Sequence, residues 1–227
     1  MHNGNGKADL RMAAAVAVTS PLTDIPSIHA VLSAQEQRAP VDRLQPIIGM
    51  LLSELGVDVS SQHLRDTPAR VARFFREYTR GYHLDPAEIL KTFHTRNNEL
   101  IVVSDIEFFS LCPHHLLVYG GKMHFGYIPD GRIVGISKIP RLVQGLAARL
   151  VVQEDLVADI ADSFMSVVKP LGCVVKATGK HDCVAARGVR CPEATMTTLA
   201  LRGVFSERPR FVDEFYQSIT QAGTCIR

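Results

Sequence analysis

There is no tryptophan in this chain and aromatic residues make up only 7% of it, so the stacking side chains interleaved with Lys and Arg that mark a single-strand binder are missing. A formal charge of only +2 agrees, and no nucleic acid is expected as a partner. Long apolar runs are missing too. No stretch approaches the roughly 18 residues of a membrane span. The run Met12 to Val18 is short, follows Asp9 and Arg11 and has no cleavage site after it, so neither a membrane nor a signal peptide is expected. Five cysteines, an odd number without framework spacing, exclude a disulfide scaffold and favour a reducing, cytoplasmic setting. Cys173, Cys191 and Cys225 read as a buried small hydrophobe or incidental thiols. What the chain does have is 46% hydrophobic residues, enough for a substantial core.

It also has a set of metal ligands. Cys112 and His115 stand in Cys112-Pro113-His114-His115, and Cys183 follows in His181-Asp182-Cys183. Two thiolates and an imidazole suit a borderline-soft ion such as zinc, and three protein ligands leave a fourth position open, as a catalytic site requires. His114 and His181 are spare. If the first segment is extended, His114 and His115 point to opposite faces and do not share one ion. Free imidazoles beside a metal centre suit proton transfer. The cations come in motif pairs, Arg70 with Arg73, Lys138 with Arg141 and Arg187 with Arg190, which beside a metal centre point to a polyanionic small molecule.

Residues 1–38, rich in Ala, Ser, Gly and Asn, read as a flexible extension. A helical region is expected over 39–97. Leu44, Ile47, Ile48, Leu51, Leu52 and Leu55 keep helical spacing up to Gly56. Thr67 as N-cap with Pro68 after it opens a second helix, and Asp85-Pro86 repeats the signal. From 98 to 227 the pattern predicts strands at 100–109, 116–128 (with a bend or bulge at Gly120-Gly121) and 132–136, then helices at 138–150 and 153–168. Strands at 173–178, 183–189 and 195–205 follow, before a helix over 209–221. Strands, two helices, then strands is an α+β pattern, with the helices on one face of an antiparallel sheet.

The motifs Cys112-Pro113-His114-His115, Gly126-Tyr127-Ile128-Pro129, Gly135-Ile136-Ser137-Lys138-Ile139, Val152-Gln153-Glu154, His181-Asp182-Cys183 and Arg187-Gly188-Val189, with Asp66 to Ala72 before them, resemble GTP cyclohydrolase I in order and spacing. The resemblance runs from about Val41 to the C-terminus. It implies the tunnelling fold (T-fold), with a four-stranded antiparallel sheet and two helices per subunit after an N-terminal helical unit. It also implies a homo-oligomer, a decamer of two stacked pentamers, with active sites at subunit interfaces. Closing the sheets into a barrel removes exposed edges.

The implied reaction takes GTP and water to 7,8-dihydroneopterin triphosphate and formate. By position Cys112, His115 and Cys183 match the ligands of one Zn2+ per subunit, and His114 and His181 match the acid–base histidines. Glu154 matches the carboxylate that accepts from guanine N1–H and its amino group. Gln153 helps shape the same pocket. Arg70, Lys138, Arg141 and Arg187 match the triphosphate contacts, with Ser137 near the ribose and phosphates and Arg70 coming from a neighbouring subunit. Three positions depart from the commoner pattern. Pro113 stands in place of Glu, Ala69 replaces a basic residue beside Arg70, and Pro140 lies inside the Ser137 to Arg141 motif. Two rival readings are a nitrile reductase on the same fold, which metal content and NADPH consumption would distinguish, and a non-enzymatic zinc module, which has no use for His114, His181 and Glu154.

Overall fold

The computed structural model describes residues 43–222. The expected extension over 1–38, the start of structure at Val41, and Cys225 lie outside them. The helical region holds α1 (Leu44–Glu54), α2 (Thr67–Thr79), a 3-10 turn (Arg80–His83) and α3 (Pro86–Ile89). Asp66, not Thr67, occupies the cap position of α2. Its carboxylate makes no cap hydrogen bond and lies 3.4 Å from Arg70. At α3 the Asp85 side chain does accept from the Ala87 N–H.

Beyond lie β1 (Thr92–His94), β2 (Ile101–Leu111), β3 (Val118–Ile128), β4 (Arg132–Val134), α4 (Lys138–Ala147), α5 (Gln153–Val168), β5 (Gly172–His181), α6 (Asp182–Ala185), β6 (Met196–Gly203), α7 (Val204–Glu207) and α8 (Pro209–Ala222). The main sheet is antiparallel in the order β2-β3-β5-β6, and β1 pairs with β4 in a separate two-stranded sheet. This is the α+β architecture expected of the tunnelling fold.

Helices α4 and α5 both pack on one face of the main sheet. On α4 the buried Ile139, Leu142, Val143 and Leu146 recur at i, i+3, i+4 and i+7, which puts one apolar stripe against the strands. On α5 the stripe includes Leu156, Ile160 and Phe164, and the Phe164 ring meets Phe125 and Tyr127 of β3 at 4.7 and 4.9 Å. Such a fully buried aromatic is worth about 1.5–3 kcal/mol of burial. Alternation along β3 puts Tyr119, Met123, Phe125 and Tyr127 on the helix face and Lys122 and His124 on the other. The far end of that second face is covered by α7 and α8, whose Phe205 and Phe215 pack on Ile128 and Val174.

Other expectations fail as well. The expected strand over 183–189 is the single helical turn α6 followed by a loop, because Gly188 and Arg190 take positive φ (60° and 53°) and bend the chain away from the sheet. The bulge is absent at Gly120-Gly121, which pair in regular register with Phe109 and Phe108. These glycines answer to crowding instead: a Cβ on Gly120 would lie 2.5 Å from the Phe108 carbonyl oxygen, and one on Gly121 would collide with that of Thr178. The register shift falls between Val103 and Ile106, where Asp105 has φ 57°. There the Asp105 N–H donates to His124 Nδ1 at 3.3 Å and Lys122 Nζ lies 2.8 Å from its carboxylate. Finally, α4 ends at Ala147 rather than Leu150, since the next residues are held by the strands.

Candidate active site

Cys112 follows the last residue of β2, and the chain turns back at once. The Cys112 N–H donates to the Leu117 carbonyl at 2.9 Å, and the Leu116 N–H to the Cys112 carbonyl at 2.9 Å. Residues 113–115 are therefore a tight turn, not the extended segment expected, and Leu116 sits at φ 55°. The turn brings both neighbouring imidazoles to one sulfur. His114 Nδ1 lies 3.7 Å and His115 Nδ1 3.8 Å from Cys112 Sγ. Alternation along a strand thus does not separate the two histidines.

Cys183, in the turn that follows β5, completes a group. One ligand atom each from Cys112, His115 and Cys183 lie within 4.8 Å of one another. Tetrahedral zinc with bonds of about 2.3 Å to sulfur would set two sulfurs about 3.8 Å apart, so the group needs to close by less than about 1 Å. The donor set fits that ion. Burial first, then the neighbouring Cys112, pushes the Cys183 thiol up. A bound cation reverses that balance, because metal ligation stabilises the thiolate.

Beside this group three strands present one row on the helix face. Ser110, Tyr119 and His181 are directly opposed across β2, β3 and β5. Ser110 Oγ donates to the Arg149 carbonyl at 3.0 Å, and Tyr119 Oη donates to the Val151 carbonyl at 2.8 Å. Between these two contacts Leu111 bridges Leu150. The α4–α5 connection is in this way stitched to the strand ends next to Cys112, and α5 begins there with Gln153 and Glu154. Burial pushes the Tyr119 phenol up to about 12. Burial lowers His181, while the Glu154 carboxylate pulls it the other way.

Gln153 is 1% exposed. Its Nε2 donates to the Met196 carbonyl and Thr198 Oγ1, both at 3.0 Å, and reaches the Ala177 carbonyl at 3.4 Å, while Oε1 has no hydrogen-bond partner. A Cβ on Gly179 would lie 2.6 Å from that Oε1, so only glycine leaves the amide room. Gln153 ties the helix start to β5 and β6, and Glu154 next to it is exposed.

The cations divide. Arg187 is exposed in the loop after Cys183 and close enough to act on that thiol. Ser137, Lys138 and Arg141 are elsewhere. The Val134 N–H donates to Tyr127 Oη, and Tyr127 is nine residues along β3 from Val118, which pairs with Leu111. At about 3.3 Å per residue, those nine residues make roughly 30 Å of strand, so the start of α4 lies at the opposite end of β3 from Cys112 in the same subunit. Arg70 is exposed on α2, with Asp66 as its partner.

Tyr119 and Ser110 escaped the sequence reading, which registers Tyr119 only as a strand residue and leaves Ser110 just past the strand expected over 100–109. Among the other thiols, Cys173 is buried and pushed up to about 12 by desolvation, with Sγ 3.7 Å from the Ala161 carbonyl, and Cys191 is exposed. Among the described residues no helix is long and apolar enough to cross a membrane.

Comparison with known proteins places these observations. The chain is 45% identical over 166 residues to GTP cyclohydrolase 1 of Mycolicibacterium vanbaalenii, covering 72% of this chain and 82% of that one. It is 40% identical over 176 residues to GTP cyclohydrolase 1 of Methylococcus capsulatus (75% and 95%), and 42% over 171 residues to that of Campylobacter curvus (74% and 90%). A solved structure, the archaeosine synthase QueF-Like in the apo form, aligns with 46% of this chain and 93% of its own at 21% identity and a TM-score of 0.37, a likeness too slight to build on. A sequence model of the family described as GTP cyclohydrolase I matches residues 44–220. By the family match and by these relatives, the chain belongs to the GTP cyclohydrolase I family of enzymes.

Proposed function

We propose that the protein converts GTP and water to 7,8-dihydroneopterin triphosphate and formate with one zinc ion per subunit, the entry step of tetrahydrofolate and pterin biosynthesis, in the cytoplasm. The observation that carries this reading is the convergence of Cys112, His115 and Cys183 beside His114, His181 and the Glu154 helix start. A zinc ion held there supplies Lewis acidity and a lowered water pKa at C8 of the guanine.

The chain's own residues do the rest. Glu154, an exposed carboxylate at the start of α5, accepts from guanine N1–H and the 2-amino group, an ionised acceptor facing two donors. Gln153 shapes the pocket by fixing that helix start. His114 and His181 move protons to and from the ring nitrogens as the imidazole ring opens, and again during rearrangement of the ribose.

Arg187 meets the triphosphate from the metal side. Ser137, Lys138 and Arg141 serve the same anion, but the length of β3 separates them from Cys112 within one subunit, so they act in a neighbour's site, as does Arg70. That separation favours a ring in which each site draws on more than one chain, and we assign a decamer of two pentamers.

The test is direct. Metal-analysed protein is incubated with GTP, and formate and an oxidisable, fluorescent pterin are sought. Both are expected in proportion to zinc content, and their absence from zinc-loaded oligomer would overturn the reading.

A further inference from the structure

Tyr119 has no part in the chemistry described so far, yet it touches both halves of the site. Its ring lies flat against the His181 imidazole, with centroids 4.6 Å apart and planes within 3°. The two residues are directly opposed across β3 and β5. Among the described residues no neighbour hydrogen-bonds a ring nitrogen of His181, whereas a working imidazole is ordinarily oriented by a bond to its second nitrogen. The flat tyrosine takes that orienting role here.

The other end of the same side chain reaches the α4–α5 connection. Its hydroxyl donates to the Val151 carbonyl at 2.8 Å, two residues before Gln153 and three before Glu154. Tyr119 is 2% exposed, so packing allows it one pose. A flexible side chain could not hold two elements in register, whereas a buried ring with a fixed hydroxyl can.

We propose that Tyr119 is the positioning residue of this site: its ring face sets the His181 imidazole, and its hydroxyl sets the helix start that carries Glu154. The distance between the group that moves protons and the group that holds guanine is thereby fixed by one buried side chain. This rests on the GTP reading for the roles of His181 and Glu154, but not for the geometry.

Two variants separate the two ends. Tyr119→Phe keeps the ring and loses the hydroxyl, so KM for GTP should rise several-fold while kcat stays within about twofold. Tyr119→Leu loses the ring, and kcat should fall about 10- to 100-fold at unchanged zinc content, the cost of a misplaced reacting group. If Tyr119 only supported the fold, both variants would lower the melting temperature and leave kcat and KM of the folded, zinc-loaded fraction unchanged. That result, or an equal loss of kcat in Phe and Leu, overturns the proposal.

Crystal structures of the two variants provide a readout without turnover. His181 should keep its pose in Tyr119→Phe and leave it in Tyr119→Leu, and an undisplaced ring in the latter overturns the proposal. Failure of the wild-type protein to release formate from GTP would instead sink the functional reading and leave this structural test standing. Should Tyr119→Leu not fold, Tyr119→Met takes its place, and an unchanged KM in Tyr119→Phe is alone sufficient to overturn the hydroxyl's role.

Discussion

Replacing Gln153 by leucine separates what this side chain does for stability from what it does for the site. The substitution deletes two hydrogen bonds of 3.0 Å, to the Met196 carbonyl and Thr198 Oγ1, and a marginal one of 3.4 Å to Ala177. At about 1 kcal/mol net for each good bond the loss is about 2 kcal/mol. It also removes Oε1, a buried acceptor with no partner, whose desolvation costs about 1–3 kcal/mol. The two terms offset, and Gln153→Leu should change stability by no more than about 1 kcal/mol. Gln153→Ala makes the same exchange but leaves a hole, and should cost about 2–4 kcal/mol. Denaturant unfolding at matched protein concentration measures both. Activity should behave differently, because neither variant can tie α5 to β5 and β6, and KM for GTP should rise in both. If leucine proves as destabilising as alanine, Oε1 is not an uncompensated acceptor and the ledger is wrong. If KM is unchanged, Gln153 does not set the Glu154 helix start.

Cys183→Ser should empty the metal site and abolish activity while the core stays folded, as read by metal analysis beside circular dichroism; full zinc content would refute the ligand set. His114→Ala and His181→Ala should retain zinc and lose about 100-fold or more of the complete reaction; if His114→Ala loses zinc, the choice of His115 over its neighbour fails, a live question because both rings approach Cys112 Sγ equally. Arg187→Ala should raise KM for GTP about tenfold by loss of one charged phosphate contact, and added salt should raise KM in the wild type. Stability should decline on acidification: burial pushes His124 down against the pull of Asp105, with Lys176 and Lys122 adding to the depression. The unfolded chain therefore takes the proton first, so this contribution is complete above about pH 6.5 and is lost as pH falls through the window below it. Asp105, held down by Lys122, loses its own contribution further into acid. Melting temperature should thus fall from about pH 6.5 downward, and less steeply in His124→Gln.

Much of the fold was legible because its signals are local. The stripe from Leu156 to Phe164 marks α5 by spacing alone, and Asp85-Pro86 marks α3 by its cap. The grouping of Cys112, His115 and Cys183 was legible because cysteines beside histidines are rare in a chain with so few cysteines, and the fold does bring the three together. Residues 183–189 misled because β-branched residues imitate a strand, while the positive φ of Gly188 and Arg190 that ends the strand pattern is a matter of backbone and not of composition. The strand at Thr92–His94 is too short to show a period. Tyr119 was invisible as a site residue because its partners, His181 and Val151, are defined by strand register and by the path of a distant connection. Sequence spacing is equally silent on which end of the sheet a motif reaches, and so could not separate Ser137 and Lys138 from Cys112.

That separation also bears on how damage in this protein is inherited. On the proposed reading, a subunit with Cys112, His115 and Cys183 at one end and its Ser137 to Arg141 motif at the other would hold two half-sites that fail independently. In a ring where neighbours complete one another, a chain spoiled at Cys183 can still lend an intact Lys138 to the next subunit. Mixed rings of two individually inactive chains would contain some sites built wholly from sound halves, so two defective copies of the gene in one cell need not add up to a defect.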